Sequence, residues 1–181
     1  VVFDILTPME DARNVTDDYK GLPLEQIVAD LDSKGTGLEI AVENLAHDFN
    51  IGSIVRTANA FGARNVHIIG RRQWNKRGAM ATNKYLHVHR HATNDEFLAA
   101  IKGKVVVAID NIEGSVPLHR VVLPPNAVLL FGAEGPGISP ELLAQAKQVV
   151  AIEQFGSTRS INVGAAAAVV MYTWLQQNYL T

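Results

Sequence analysis

From Leu38 onward, short apolar runs alternate with stretches whose apolar residues recur every three or four positions. The runs predict strands over 38–43, 65–69, 85–89, 104–109, 127–131 and 148–152, and the periodic stretches predict helices over 52–61, 94–102, 140–147 and 161–177. This alternation predicts an α/β fold, a mostly parallel sheet with helices on both faces. Val105 to Ile109 and Ala127 to Phe131 are apolar at every position, as strands covered on both faces are, and are expected to be central. Ahead of the sheet, Leu24, Ile27, Val28 and Leu31 fall at i, i+3, i+4 and i+7 behind Pro23, which predicts an amphipathic helix over 23–32 with proline in its first turn. Thr93 or Asn94 can cap the third predicted helix, and Ser139 with Pro140 reads as N-cap and first residue of the fourth. Ala165 to Ala168 gives the last helix a thin waist, suited to close packing inside the domain or against a second subunit.

Composition bounds the class. The 181 residues are 48% hydrophobic and include no cysteine, which excludes disulfides and thiolate metal sites and fits a reducing compartment. No run approaches the length of a membrane helix and no secretory pattern opens the chain, so a cytoplasmic protein is expected. The net charge of −2 hides an uneven distribution. Residues 1–35 hold eight acids against three bases and are expected to form an acidic N-terminal extension to a domain over 36–181. Residues 71–91 hold six cations and no acid. Within them, Arg71, Arg72, Lys76 and Arg77 surround Trp74, a combination suited to phosphate contacts plus stacking on an unpaired base, with a solvated loop whose Trp74 packs inward as the less favoured alternative. His87, His89 and His91 share one face of a predicted strand. With no Cys or acid nearby, a solvated or RNA-facing edge is expected there rather than a metal site.

Candidate chemistry lies mainly in the last third. Phe131-Gly-Ala-Glu-Gly-Pro-Gly-Ile-Ser139 and Ile152-Glu-Gln-Phe-Gly-Ser-Thr-Arg-Ser-Ile-Asn-Val-Gly164 each follow an apolar run and open a helix. Glycines there expose main-chain groups that a Cβ would shield. The glycine order is not that of a dinucleotide-binding fingerprint, and no Gly-Lys-Ser/Thr ends a glycine run. Upstream, Asn50-Ile-Gly-Ser-Ile-Val-Arg56 adds an amide and a guanidinium. Arg56 lies opposite Ile51, Ile54, Val55 and Ala58, a position that a solvated surface arginine would also occupy.

These three segments, taken together and in order, resemble the three motifs of the SPOUT superfamily, and most closely its TrmH-like branch of RNA ribose 2′-O-methyltransferases. The resemblance covers roughly residues 38–178. It implies a C-terminal deep trefoil knot, a homodimer, S-adenosylmethionine as cofactor and structured RNA as substrate, with transfer RNA first and ribosomal RNA second. It implies cofactor contacts at Ile109, Gly132, Gly137, Ile152, Ile161 and Asn162. It implies catalytic or positioning roles for Arg56, Asn50, Glu134, Ser160 and Asn162, with Arg56 facing the target hydroxyl and phosphate. Glu134 would orient Asn50 or Arg56, and Asn162 would cap the last helix as well. The chain departs from the family pattern at Glu153, often proline, at Asp48-Phe-Asn50, often Pro-x-Asn, and at Gly164, often serine. Two other functions remain open. One is base-nitrogen methylation on the same fold, with Glu153 or Asp48 as base; the other is a non-catalytic RNA-binding module.

Overall fold

The computed structural model describes residues 11–44, 50–70, 73–133 and 135–180. Seven parallel strands form one sheet in the order β3-β2-β1-β6-β4-β7-β5. They are β1 (Glu39–Glu43), β2 (Asn65–Ile69), β3 (His87–His91), β4 (Val105–Ile109), β5 (Val116–Pro117), β6 (Ala127–Phe131) and β7 (Gln148–Ala151). The helices are α1 (Leu24–Ser33), α2 (Asn50–Ala60), α3 (Asn94–Ala100), α4 (Pro140–Leu143) and α5 (Val163–Asn178).

Side-chain alternation divides the interior into two layers. Ile40, Val42, Val107, Leu129 and Phe131 point to one face, where they meet Ile51, Ile54 and Val55 of α2 and Val170, Met171 and Trp174 of α5. Ala41, Val106, Ala108, Val128 and Leu130 point to the other, where Phe97 of α3 and Leu142 of α4 cover them. The all-apolar strands β4 and β6 are adjacent and interior, as expected of strands buried on both faces. The sheet is thus parallel throughout with helices on both faces.

Most of the expected bounds move by no more than two residues, α2 for instance starting at 50 rather than 52 and α5 at 163 rather than 161; three further differences have a physical reason. β3 begins at His87 rather than at 85, because Tyr85 and Leu86 are buried ahead of the strand in the turn that follows residues 82–84. α4 stops at Leu143 instead of 147, its last turn closing through the contacts of Gln145 N–H with the Leu142 carbonyl and Ala146 N–H with the Leu143 carbonyl. β5 has two residues, too few to show any period. Where expected, Ser139 precedes α4 with Pro140 first in the helix, and the Thr93 hydroxyl accepts from Glu96 N–H to cap α3.

The histidines are not all solvated. His87 and His89 are exposed, paired with Asp32 and Asn65, but His91 is buried and its Nε2 lies 2.9 Å from Nδ1 of buried His67. His67 Nε2 lies 3.2 Å from Glu39 Oε2, and Lys104 Nζ lies 3.0 Å from Glu39 Oε1. With Glu39 ionised, the consistent hydrogen-bond pattern has His67 donating to it from Nε2 and accepting at Nδ1 from His91 Nε2. Phe97 closes the cluster edge-on to His67.

Burial, and then the proximity of His67, holds the imidazoles of His89 and His91 below their usual 6.5. Burial alone would raise Glu39, but hydrogen bonds from His67 and Lys104 outweigh it and hold the carboxyl below 4.5. A histidine depressed in the folded state takes up its proton on unfolding, so its contribution to stability is complete above the unfolded value and is lost as pH falls below it. The melting temperature is therefore expected to decline as pH drops from about 7 through 6.5 and below, with the Glu39 contribution fading only under 4.5. Scanning calorimetry of wild type and His91→Asn should show the shallower decline in the variant; identical profiles would contradict the assignment.

Candidate active site

A cavity of about 330 Å³ opens at the carboxyl ends of the neighbouring strands β6, β4 and β7, the end of an open α/β sheet where ligands bind. Phe131 and Ile109, which end β6 and β4, and Val150, one residue before the end of β7, give it an apolar floor, while Asp110, Asn111, Gln154 and Ser160 supply polar groups. Its size and mixed lining suit a small organic cofactor. Of the six expected cofactor contacts, all line it: Ile109, Gly132, Gly137, Ile152, Ile161 and Asn162.

The loop after β6 is shaped by glycines acting on their own backbone. A Cβ at Gly132 would lie 2.2 Å from the carbonyl carbon of Gly137, so no other residue fits there without moving that chain. The approach permits a two-way bridge, in which Ala133 N–H donates to the Gly137 carbonyl at 3.1 Å and Gly137 N–H to the Ala133 carbonyl at 3.0 Å. Gly137 has a φ of 74°, in the left-handed region that favours glycine. Asp110 fastens the loop to β4 by accepting from Ile138 N–H, and buried Glu43 at the end of β1 accepts from Ser139 N–H at 2.7 Å. On the far wall, Asn111 Nδ2 donates to the Arg159 carbonyl.

Asn162 joins the segments. Its Oδ1 accepts from Gly164 and Ala165 N–H and so caps α5; its Nδ2 donates to Asn50 Oδ1 at the first residue of α2, over 2.8 Å. α2 in turn packs against the backbone of 75–79, because a Cβ at Gly52 would meet Ala79 N at 2.8 Å. Asn50 and Asn162 are thereby brought together, and Ser160 stands exposed at the cavity edge. Arg56 is exposed on α2 and lies outside the cavity lining. Glu134 falls outside the described residues.

The basic segment is corrected at one position. Trp74 is 6% exposed and belongs to the core beneath α2, so it cannot stack on a base without leaving that core. Lys76 and Arg77 are exposed, whereas Arg71 and Arg72 lie outside the described residues. Glu153 turns away from the cavity between the lining residues Ile152 and Gln154, its Oε2 in contact with His119 Nδ1. It is therefore already engaged, which weighs against a role as base; Asp48 is not among the described residues. Asp110 and Asn111 carried no motif signal beyond being polar residues directly after an apolar strand, and Gln154 lay within the segment 152–164 with no role assigned to it. Among the described residues no group of three His, Cys, Asp or Glu is arranged to hold a metal ion, and no helix is long and apolar enough to cross a membrane.

Residues 37–172 match the model of the SpoU rRNA Methylase family. The chain belongs to this family. A tRNA (guanosine(18)-2′-O)-methyltransferase of Escherichia coli (strain K12) is 29% identical over 140 residues, which is 75% of this chain and 61% of that protein. The chain thus spans about six-tenths of that relative's length. The enzyme of the same name from Thermus thermophilus is 29% identical over 145 residues, 75% of this chain and 72% of that protein. Among solved structures, the A. aeolicus TrmH/SpoU tRNA modifying enzyme superposes with a TM-score of 0.74 at 25% identity, covering 86% of this chain and 84% of its own. An AdoMet-bound rRNA methyltransferase from Sinorhizobium meliloti gives 0.69 at 25% identity, over 77% of this chain and 56% of its own.

Two variants separate the roles of Asn162. Asn162→Ala removes the α5 cap and should cost about 1 kcal/mol in urea unfolding. Asn162→Asp keeps the accepting oxygen but not the donor to Asn50, and should recover most of that loss. Equal destabilisation by both would show that the Asn50 contact, not the cap, dominates.

Proposed function

We propose that this protein transfers a methyl group from S-adenosylmethionine to a ribose 2′-hydroxyl of structured RNA, transfer RNA before ribosomal RNA. The observation that carries the reading is the amide of Asn162, which lines the cavity and also bonds the first residue of the helix bearing Arg56. Cofactor wall and candidate catalytic helix are thus parts of one hydrogen-bonded unit.

The cofactor supplies a sulfonium-activated methyl group. What the chain must add is alignment, because a ribose hydroxyl is a poor nucleophile at neutral pH and positioning is worth up to about 7–11 kcal/mol. The apolar floor of Phe131, Ile109 and Val150 suits the faces of a heterocycle. Arg56 presents a planar fork of donors. Its role in this reading is to hold a phosphate and stabilise negative charge developing on the 2′ oxygen. Ser160, Asn50 and Glu134 orient the substrate and the guanidinium.

The reading extends to a homodimer, a C-terminal trefoil knot, a cytoplasmic location and an acidic extension over 1–35. Support for the dimer comes from α5, which leaves Val169 and Tyr172 about half exposed beside Phe61, whose ring lies 6.0 Å from that of Tyr172. RNA contacts are assigned to Arg71, Arg72, Lys76 and Arg77, without Trp74.

Methyl transfer from radiolabelled S-adenosylmethionine to unmodified tRNA and rRNA, digested to nucleosides, tests the reaction: a labelled 2′-O-methylnucleoside is expected, and label on a base would overturn it. In the same assay Arg56→Ala should lower turnover by about 10²- to 10⁴-fold with cofactor affinity unchanged. Replacing Arg71, Arg72, Lys76 and Arg77 by alanine should reduce the slope of log affinity against log salt by about 3 to 4. An unchanged slope would remove that patch from the interface.

A further inference from the structure

Among the described residues that line the cavity, Asp110 is the one carboxylate, and none is a lysine, arginine or histidine. Asp110 is half-buried directly after β4, and its Oδ2 accepts from Ile138 N–H at 3.1 Å. Its Oδ1 bonds to no described residue, and it is not among the side-chain oxygens that the protein shields completely. The carboxylate is also given its place by the opposite loop: a Cβ at Gly137 would lie 2.8 Å from Oδ2, so only a bare backbone lets the two meet. No described cation forms an ion pair with Asp110. The rest of the described wall is apolar side chains, neutral polar groups and backbone. A negative group fixed in such surroundings, with no counter-charge from its own chain, attracts a cation brought by the occupant.

We infer that Asp110 is a charge-specificity residue, favouring the methyl donor, whose sulfonium is positive, over the demethylated product, whose thioether is neutral. The inference rests on the cofactor reading above. Donor and product share the purine, the ribose and the amino-acid end, so the charge on sulfur and the methyl group are all that separate them. Transfer breaks the bond from sulfur to the methyl carbon, leaves that electron pair on sulfur and joins the methyl to the ribose oxygen as the hydroxyl proton departs. The attraction exerted by Asp110 on sulfur therefore ends with the reaction, which favours exchange of product for fresh donor. No exact placement of the ligand is needed, because unit charges about 8 to 10 Å apart in a site partly screened by water still change affinity by about threefold to tenfold.

Titration calorimetry of wild type, Asp110→Asn and Asp110→Glu tests it, with S-adenosylmethionine, S-adenosylhomocysteine and sinefungin, which carries an ammonium where the sulfonium methyl stands. Asp110→Asn keeps an oxygen for Ile138 N–H and removes the charge. It should weaken S-adenosylmethionine and sinefungin by about threefold to tenfold relative to S-adenosylhomocysteine. Asp110→Glu should keep the wild-type ratios even if all three ligands bind it less well. Asp110→Ser, also uncharged, gives the same reading should the amide disturb the fold. Equal weakening of all three ligands by the uncharged variants would mark Asp110 as a brace for the loop and overturn the inference, as would unchanged ratios; either result leaves the cofactor reading standing. Failure of wild type to bind any of the three would overturn both.

Discussion

The structure turns on one side-chain amide. Asn162 spends its oxygen on the exposed N–H groups that begin α5 and its nitrogen on Asn50, which begins α2. Helix ends leave donors unsatisfied, so some acceptor was required at α5 in any case. An asparagine meets the requirement and has a donor left over, which a serine or aspartate would not offer in the same way. Two helices that lie on the same face of the sheet therefore share a fixed point next to the cavity, and Arg56 is carried on a helix anchored there.

The glycine-rich loop obeys a different constraint. Gly132 is bare because the chain must double back onto Gly137, and the bridge between Ala133 and Gly137 then sets the outline of the cavity. Glycines in such motifs read naturally as making room for a ligand. Here Gly132 and Gly52 make room first for protein backbone, and the cavity is what the resulting fold leaves.

Much of this was legible in sequence because the strands bury both faces. Runs such as Val105 to Ile109 have no amphipathic pattern to misplace, and β2 and β6 fall on the expected residues. The misses share a cause: tertiary contacts outweighed local pattern. Tyr85 and Leu86 looked like the start of β3 because they are apolar, but they fill the core from a turn. Trp74 looked like a stacking residue because cations surround it in sequence, whereas its indole is held under α2. The pairing of His67 with His91 spans two strands, so no local pattern contains it. The motif residues were found through the resemblance, but Asp110 and Gln154, which also line the cavity, are visible only once three strands end together.

Strand order has a consequence for how the molecule comes into being. β1 is synthesised early, yet it lies between β2 and β6, and Glu39 waits for Val128 as its partner. Parallel pairings between such distant segments form slowly, since the intervening chain must be ordered first. A nascent chain emerging amino end first therefore carries β1 with one edge open until most of the protein has been made. Every wall of the cavity comes from residue 109 onward, so ligand binding is acquired last, after the sheet has committed to its order. A small molecule that fits the cavity would then act on the finished molecule alone, slowing its unfolding rather than guiding its assembly.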